Sequence, residues 1–295
     1  MAEIVAAAVV AHQPMVMVPE NVRVELGGTG SDTTLIEPGY RLIRERLAAL
    51  EVDTLVIFDT HWFTTTEHVI AGAPHFKGLY TSDEMPRNIC DLPYDYAGAP
   101  ELAAAWHRVG KERSLFTVNV QTPSLPRHYP TINLVHHLRT NEKILSCGIV
   151  QTASLDYYLA IGEALGEAAK RLPQGRIALL GSGGMSHEFW PLDVIRDHFA
   201  YDAKHVISEA ARAMDARILE LWKRGDHAAV LALYPEYRNR FHPEGRFAHY
   251  AMAIGAVGGA ASRLRGEQLS DYENAVGTGQ VHVWFENREG GGDRA

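Results

Sequence analysis

Residues 55–63 read LVIFDTHWF, and the stretch changes character halfway. Leu55 to Phe58 form a short continuous apolar run, the composition of a strand covered on both faces. The chain then turns polar at Asp59 and Thr60 and presents His61 ahead of two aromatic residues. A buried strand that ends by offering an imidazole puts a ligand or proton carrier at the carboxyl edge of a sheet, where open α/β folds build their sites.

The same ending recurs in both directions along the chain. EIVAAAVVAH runs from residue 3 to His12, and RIALLGSGGMSH runs from residue 176 through a Gly-rich loop to His187. SLFTVNVQ (114–121), KILSCGIVQ (143–151) and VHVWF (281–285) read as further strands. Helical spacing of apolar residues marks 37–52, 100–110, 155–172, about 200–233 and 246–264, while 19–38 and 73–98 carry the Gly and Pro of loops. In TPSLPRHYPTINLVHHL (122–138) a Pro-punctuated loop runs into a short helix. Strands alternating with helices predict a single three-layer α/β/α domain over 1–286 with a mainly parallel or mixed central sheet, followed by a frayed tail at 287–295.

Composition narrows the function. The chain has 295 residues, 46% apolar and 22% charged, enough for a sizeable core without staples. A net charge of −8 without basic blocks argues against nucleic acid or an anionic membrane as partner. Cys90 and Cys147 are the only cysteines, so no disulfide framework or Cys-rich zinc site is expected. With no charged-then-apolar leader and no apolar stretch near about 18 residues, the expected compartment is the reducing cytoplasm.

Fifteen histidines make any one of them weak evidence, but three at equivalent strand ends form a pattern. If the sheet brings those ends together, His12, His61 and His187 converge. Two neutral imidazoles need a carboxylate to make a lasting metal site, and Glu244, between Pro243 and Gly245 at the mouth of a predicted helix, is the candidate; otherwise it is a first-turn acid favoured by the helix dipole. Two His and one carboxylate on one face are the set associated with non-haem Fe(II) oxygenases. Ser182 and Ser186 lack the spacing of a nucleophile elbow, and GSGG lacks the Lys of a phosphate loop.

Several segments together carry a resemblance: FDTHW (58–62), FKGLYTSDEMP (76–86), LPYDYAGAPELA (92–103), GSGGMSH (181–187), PEYRNRFHPEG (235–245) and GTGQVHVWF (277–285). They resemble the class III extradiol ring-cleaving dioxygenases, the superfamily of the protocatechuate 4,5-dioxygenase catalytic subunit. The homoprotocatechuate 2,3-dioxygenase and 2-aminophenol 1,6-dioxygenase branch is the most similar. The resemblance implies cleavage of an aromatic diol by O2 to a muconic semialdehyde on Fe(II), with 3,4-dihydroxyphenylacetate the first substrate to consider, in a homo-oligomer. It makes His12, His61 and Glu244 the iron ligands, His187 the catalytic acid–base, and Tyr129 a residue just outside the ligands. Pro130 stands where such relatives have Gly, and His128 lies beside Tyr129 where other branches carry His.

Around these, Asp59 shares a strand face with His61 and would either hold its outer ring nitrogen or cap the following loop. Trp62 would shape an apolar slot for the ring, and Phe63 would pack in the core. His249, five residues after Glu244, could approach the pocket, and Arg246 or Arg127 could meet a substrate carboxylate. A different class of reading keeps the metal and drops the oxygen chemistry: a zinc hydrolase or a noncatalytic metal-binding protein on the same scaffold.

Overall fold

Alternation inside the apolar run sends its side chains to opposite faces of a sheet. In the computed structural model, which describes residues 1–27, 33–138 and 141–286, Val56 and Phe58 join one buried cluster while Leu55 and Ile57 join another. The tail expected at 287–295 lies outside the described residues.

In chain order the elements are β1 (Glu3–Val10), α1 (Glu20–Gly27), α2 (Arg41–Ala49), β2 (Thr54–Thr64), β3 (His68–Ala71), β4 (His75–Tyr80), β5 (Leu92–Ala97), α3 (Pro100–Glu112), β6 (Thr117–Val120), α4 (Tyr129–Leu138), β7 (Lys143–Val150), α5 (Leu155–Arg171), β8 (Arg176–Ser182), α6 (Glu209–Arg224), α7 (His227–Arg240), α8 (Ala248–Ala256), β9 (Arg265–Gln268), β10 (Glu273–Ala275), β11 (Thr278–Gln280) and β12 (Val283–Glu286). The central sheet has the order β6-β3-β7-β2-β8-β1-β12-β9. Its middle four strands, β7, β2, β8 and β1, are parallel, and antiparallel pairings of β3 with β7 and β12 with β1 make the whole mixed. One face is covered by α3, α5, α6, α7 and α8, the other by α2 and α4, which gives an α/β protein with helices on both sides. Among the described residues no helix is long and apolar enough to cross a membrane.

Strand order, rather than strand sequence, is what assembles the carboxyl edge. The chain passes from β1 to β2 and leaves a place between them that β8 fills much later. The ends of β1, β2 and β8 are therefore adjacent, and His12, His61 and the Gly-rich loop after Ser182 leave the sheet side by side.

Three expectations are corrected here. The 73–98 stretch contains a β4–β5 hairpin, with Phe76 paired to Tyr96 and an alternating exposure that its Pro and Gly obscured. Part of 19–38 is helical, because Pro19 and Glu20 open α1 in positions where a helix tolerates Pro and favours an acid. The small-residue helix at 246–264 is shorter than its pattern, ending before Gly258 and Gly259, which take φ of +109° and +57°. Its small residues serve a contact within the chain: a Cβ on Gly162 of α5 would lie 2.1 Å from the Met252 carbonyl oxygen of α8.

Gly162→Ala should force α5 and α8 apart and lower stability by about 1–3 kcal/mol, as overpacking does. Urea unfolding would show this as a reduced midpoint, and an unchanged midpoint would refute the close helix approach.

Candidate metal centre

Glu244 reaches the sheet edge through an unusual turn. Gly245, Arg246 and Phe247 take φ of +54°, +58° and +63° in succession. Gly245 does so freely and has no room for a side chain, since a Cβ there would stand 2.5 Å from Cγ2 of Thr60. Arg246 and Phe247 each cost on the order of 1 kcal/mol in that region, strain of the kind found where backbone is bent to aim a side chain. The Glu244 N–H is fastened to the Met185 carbonyl at 3.1 Å, and the carboxylate turns inward with 6% of its surface exposed.

There it meets both histidines. Oε1 of Glu244 lies 2.9 Å from Nε2 of His12 and 3.4 Å from Nε2 of His61, and it accepts the Thr60 hydroxyl at 2.6 Å. Oε2 accepts the Gly184 N–H at 2.6 Å. One donor atom from each of His12, His61 and Glu244 lies within 4.8 Å of the others. Two imidazole nitrogens and a carboxylate oxygen at this spacing, on one side of the cluster, suit a divalent transition ion and leave its other side open.

The imidazoles are held from behind. Nδ1 of His12 bonds to the Ser182 hydroxyl at 2.8 Å, so an Nδ1–H tautomer leaves Nε2 available as a ligand. Its backbone is anchored as well: the His12 carbonyl accepts from the Tyr129 hydroxyl and, at 3.1 Å, from Asn133. The preceding Ala11 carbonyl accepts from the Tyr40 hydroxyl at 2.7 Å, and the Ala11 N–H donates to Nδ1 of His282. Burial pushes the His282 ring down to about 3, which keeps that nitrogen a neutral acceptor. His61 has Nδ1 at 3.3 Å from Oε1 of Glu84.

Electrostatics follow the same lines. Burial acts to raise the Glu244 carboxyl, but His12 and His61 outweigh it and hold the group well below the ordinary carboxylate range. Burial likewise acts to lower His61, while Glu244 and Glu84 prevail and push it up to about 10.

The other expected residues fall as follows. His187 is half-buried just past the Gly-rich loop, its N–H bonded to the Phe241 carbonyl at 3.1 Å and its ring packed edge-on to Phe189. Burial lowers its pKa, with Glu244 opposing and His61 and His12 adding to the fall, so the ring is neutral near pH 7. Tyr129 lies with its ring centroid 5.4 Å from His12 and 5.5 Å from His61, and its hydroxyl is committed to the His12 carbonyl. Trp62 is buried and stacks on His128 at 5.4 Å, whereas Phe63 is 46% exposed and does not pack in the core. The reason is a register irregularity in β2 between Phe58 and Phe63, which breaks the alternation.

His249 is fully buried behind the Gly-rich loop, where a Cβ on Gly183 would come within 2.9 Å of its Cε1. Among the described residues no hydrogen-bond partner is found for either of its ring nitrogens, and burial lowers its pKa to about 4. Arg246 is turned so that its charge acts on Tyr158 and Tyr234. Arg127 is buried, its guanidinium 4.1 Å from the Phe76 ring centroid and 5.8 Å from that of Trp62.

Asp59 turns out to serve the backbone. Its carboxylate accepts from the N–H of His61 and from the N–H and hydroxyl of Thr131, which leaves the ring of His61 to Glu84. Sequence reasoning also passed over Asp215 of α6, a buried carboxylate that accepts from the N–H and hydroxyl of Ser186 and from the hydroxyls of Tyr237 and Tyr272. Burial pushes Asp215 up to about 6 despite those donors. Thr60, Ser182 and Glu84 all lie inside the quoted motifs, but only contacts across the sheet show what they do.

Comparison with known proteins points the same way as this geometry. Residues 6–286 match the family model described as the catalytic LigB subunit of aromatic ring-opening dioxygenase. A protein of Escherichia coli named 3,4-dihydroxyphenylacetate 2,3-dioxygenase is 29% identical over 224 residues, 75% of this chain and 79% of that protein. The crystal structure of the uncharacterized protein JW3007 from Escherichia coli K12 superposes with a TM-score of 0.59 over 95% of this chain and 99% of its own, at 12% identity, a likeness of fold alone.

Glu244→Ala should reduce affinity for a divalent transition ion by a hundredfold or more (on the order of 10² or above), since it removes the only anionic donor of the set. An incoming ion must also displace the proton that Glu244 and Glu84 favour on His61 up to about pH 10. Apparent affinity should therefore rise with pH, by up to about tenfold per unit across the neutral range. Competition titrations against a chromophoric chelator at several pH values read both, and a pH-independent affinity would contradict the charge assignment.

Proposed function

Because the chain belongs to the family of catalytic LigB subunits of aromatic ring-opening dioxygenases, we propose that it opens a catechol-type ring beside a hydroxyl, with O2, on Fe(II) held by His12, His61 and Glu244. The observation that carries this reading is the approach of two imidazole nitrogens to one carboxylate oxygen at the sheet edge. Bound Fe(II) would supply open positions for the two oxygens of an aromatic diol and for O2, and would relay electron density from the diol to O2.

The protein's own groups do the remaining work. Glu244 contributes the charge that retains a divalent ion, and its second oxygen stays fastened to the Gly184 N–H, so the carboxylate keeps one orientation. His187, neutral because it is buried, takes the proton of a substrate hydroxyl on a ring nitrogen and returns it to the product side. The hub at Asp215 steadies the loop that carries it, through Ser186. Tyr129 and Asn133 keep the His12 backbone from shifting as substrate enters.

The first choice of substrate is 3,4-dihydroxyphenylacetate. The name of the Escherichia coli relative supports it, as does Arg127, a buried guanidinium with no carboxylate in ion-pair range among the described residues. A second reading, 2-aminophenol or an uncharged catechol, is favoured by the acidic pair Asp83 and Glu84, whose charges act on Tyr80 beside the site.

Anaerobic loading with Fe(II), followed by an oxygen electrode, should give uptake dependent on an aromatic diol and a yellow semialdehyde product. Absence of uptake with every catechol and with 2-aminophenol would return the site to the hydrolase or binding reading. His187→Phe should retain iron while losing about 10²–10⁴ in turnover, the usual share of a positioned acid–base group. Loss of iron from that variant would instead make residue 187 a ligand.

A further inference from the structure

The two metal-facing histidines are backed differently. Behind His12 stands Ser182, the last residue of β8 and part of the rigid sheet. Behind His61 stands Glu84, a side chain 49% exposed on the segment that joins β4 to β5. That segment is nonetheless a closed turn. The Ser82 hydroxyl accepts the N–H groups of Glu84 and Met85, the Met85 carbonyl accepts those of Asn88 and Ile89, and the Ser82 N–H returns to the Ile89 carbonyl. Ile89 is buried and packs in one cluster with Tyr80, Tyr129 and Ile132. The position of Glu84 is thus set by a buried anchor that includes the neighbour of both histidines.

We propose that Glu84 is a positioning residue for the metal ligand His61: its carboxylate accepts the Nδ1–H, selects the tautomer that presents Nε2 toward Glu244, and so sets metal affinity from the 81–91 segment. The proposal rests on the reading of His12, His61 and Glu244 as a metal centre. A carboxylate behind a ligating imidazole fixes ring orientation and makes the ligand nitrogen a better donor, and removing such a partner commonly costs about 10–100-fold in affinity. Glu84 also brings a second negative charge near the ion without occupying a coordination position. Asp59 cannot substitute, since its oxygens are taken by Thr131 and by the His61 N–H.

The test is a direct binding measurement, with Co(II) and with anaerobic Fe(II), by competition against a chromophoric chelator. Glu84→Ala should bind each ion about 10–100-fold more weakly than wild type, and Glu84→Gln, which keeps an acceptor but loses the charge, should fall between them. Arg87→Ala, an exposed change in the same turn, should match wild type and controls for damage to the segment. Hydrogen exchange at residues 81–91 should slow on metal addition in wild type but not in Glu84→Ala. Wild-type affinity in Glu84→Ala, alongside lost binding in His61→Ala, overturns this proposal and leaves the metal centre standing. Failure of the wild-type protein to bind either ion overturns both.

Discussion

A desolvated carboxylate cannot be left alone in a protein interior, and the architecture of the sheet edge follows from that constraint at Glu244. Its two oxygens gather the Thr60 hydroxyl from β2, the Gly184 N–H from the loop after β8, and the Nε2 atoms of His12 and His61. These groups come from the ends of three adjacent strands, and the carboxylate itself from the entry to α8. Strand order brings the imidazoles together, and without them the charge would be too costly to bury. On the proposed reading, a divalent ion replaces protons as the charge that balances this carboxylate.

Rigidity around this carboxylate is graded. On the β1 side the approach is held by groups fixed in the core: Tyr40, Asn133, Tyr129, His282 and Ser182 hold the backbone and ring of residues 11 and 12. On the β8 side Asp215 ties Ser186 to α7 and to Tyr272, so the loop leading to His187 is braced from three directions. On the β2 side the strand loses its regular register after Phe58, and the outer face of His61 is met by a half-exposed loop residue. The β2 side is therefore the side of the cluster least built into the sheet.

Much of this was legible from particular residues. The apolar runs at 3–10, 54–58 and 176–180 appear as neighbouring parallel strands, and each leads to a polar group at the edge. The choice of His12, His61 and Glu244 corresponds to the cluster the fold assembles. Less visible were the hairpin inside 73–98, hidden by its Pro and Gly, and the exposure of Phe63, which alternation alone would have buried. Asp59 illustrates the limit well: its spacing from His61 permitted a bond to the ring, yet Thr131, far away in sequence, claims the carboxylate instead.

What the amino-acid sequence determined by itself is therefore local: which segments are buried strands, where each ends, and which side chains able to bind a metal or carry a proton stand at those ends. Such information resides in hydrophobic period and turn chemistry, carried by residues close together in the chain. What tertiary structure decided is partnership, since the insertion of β8 between β1 and β2 and the path of the 81–91 segment put Ser182 behind one imidazole and Glu84 behind the other. No local pattern encodes those pairings, because hydrogen bonds across a sheet edge depend on strand order and loop packing, which are properties of the whole folded chain.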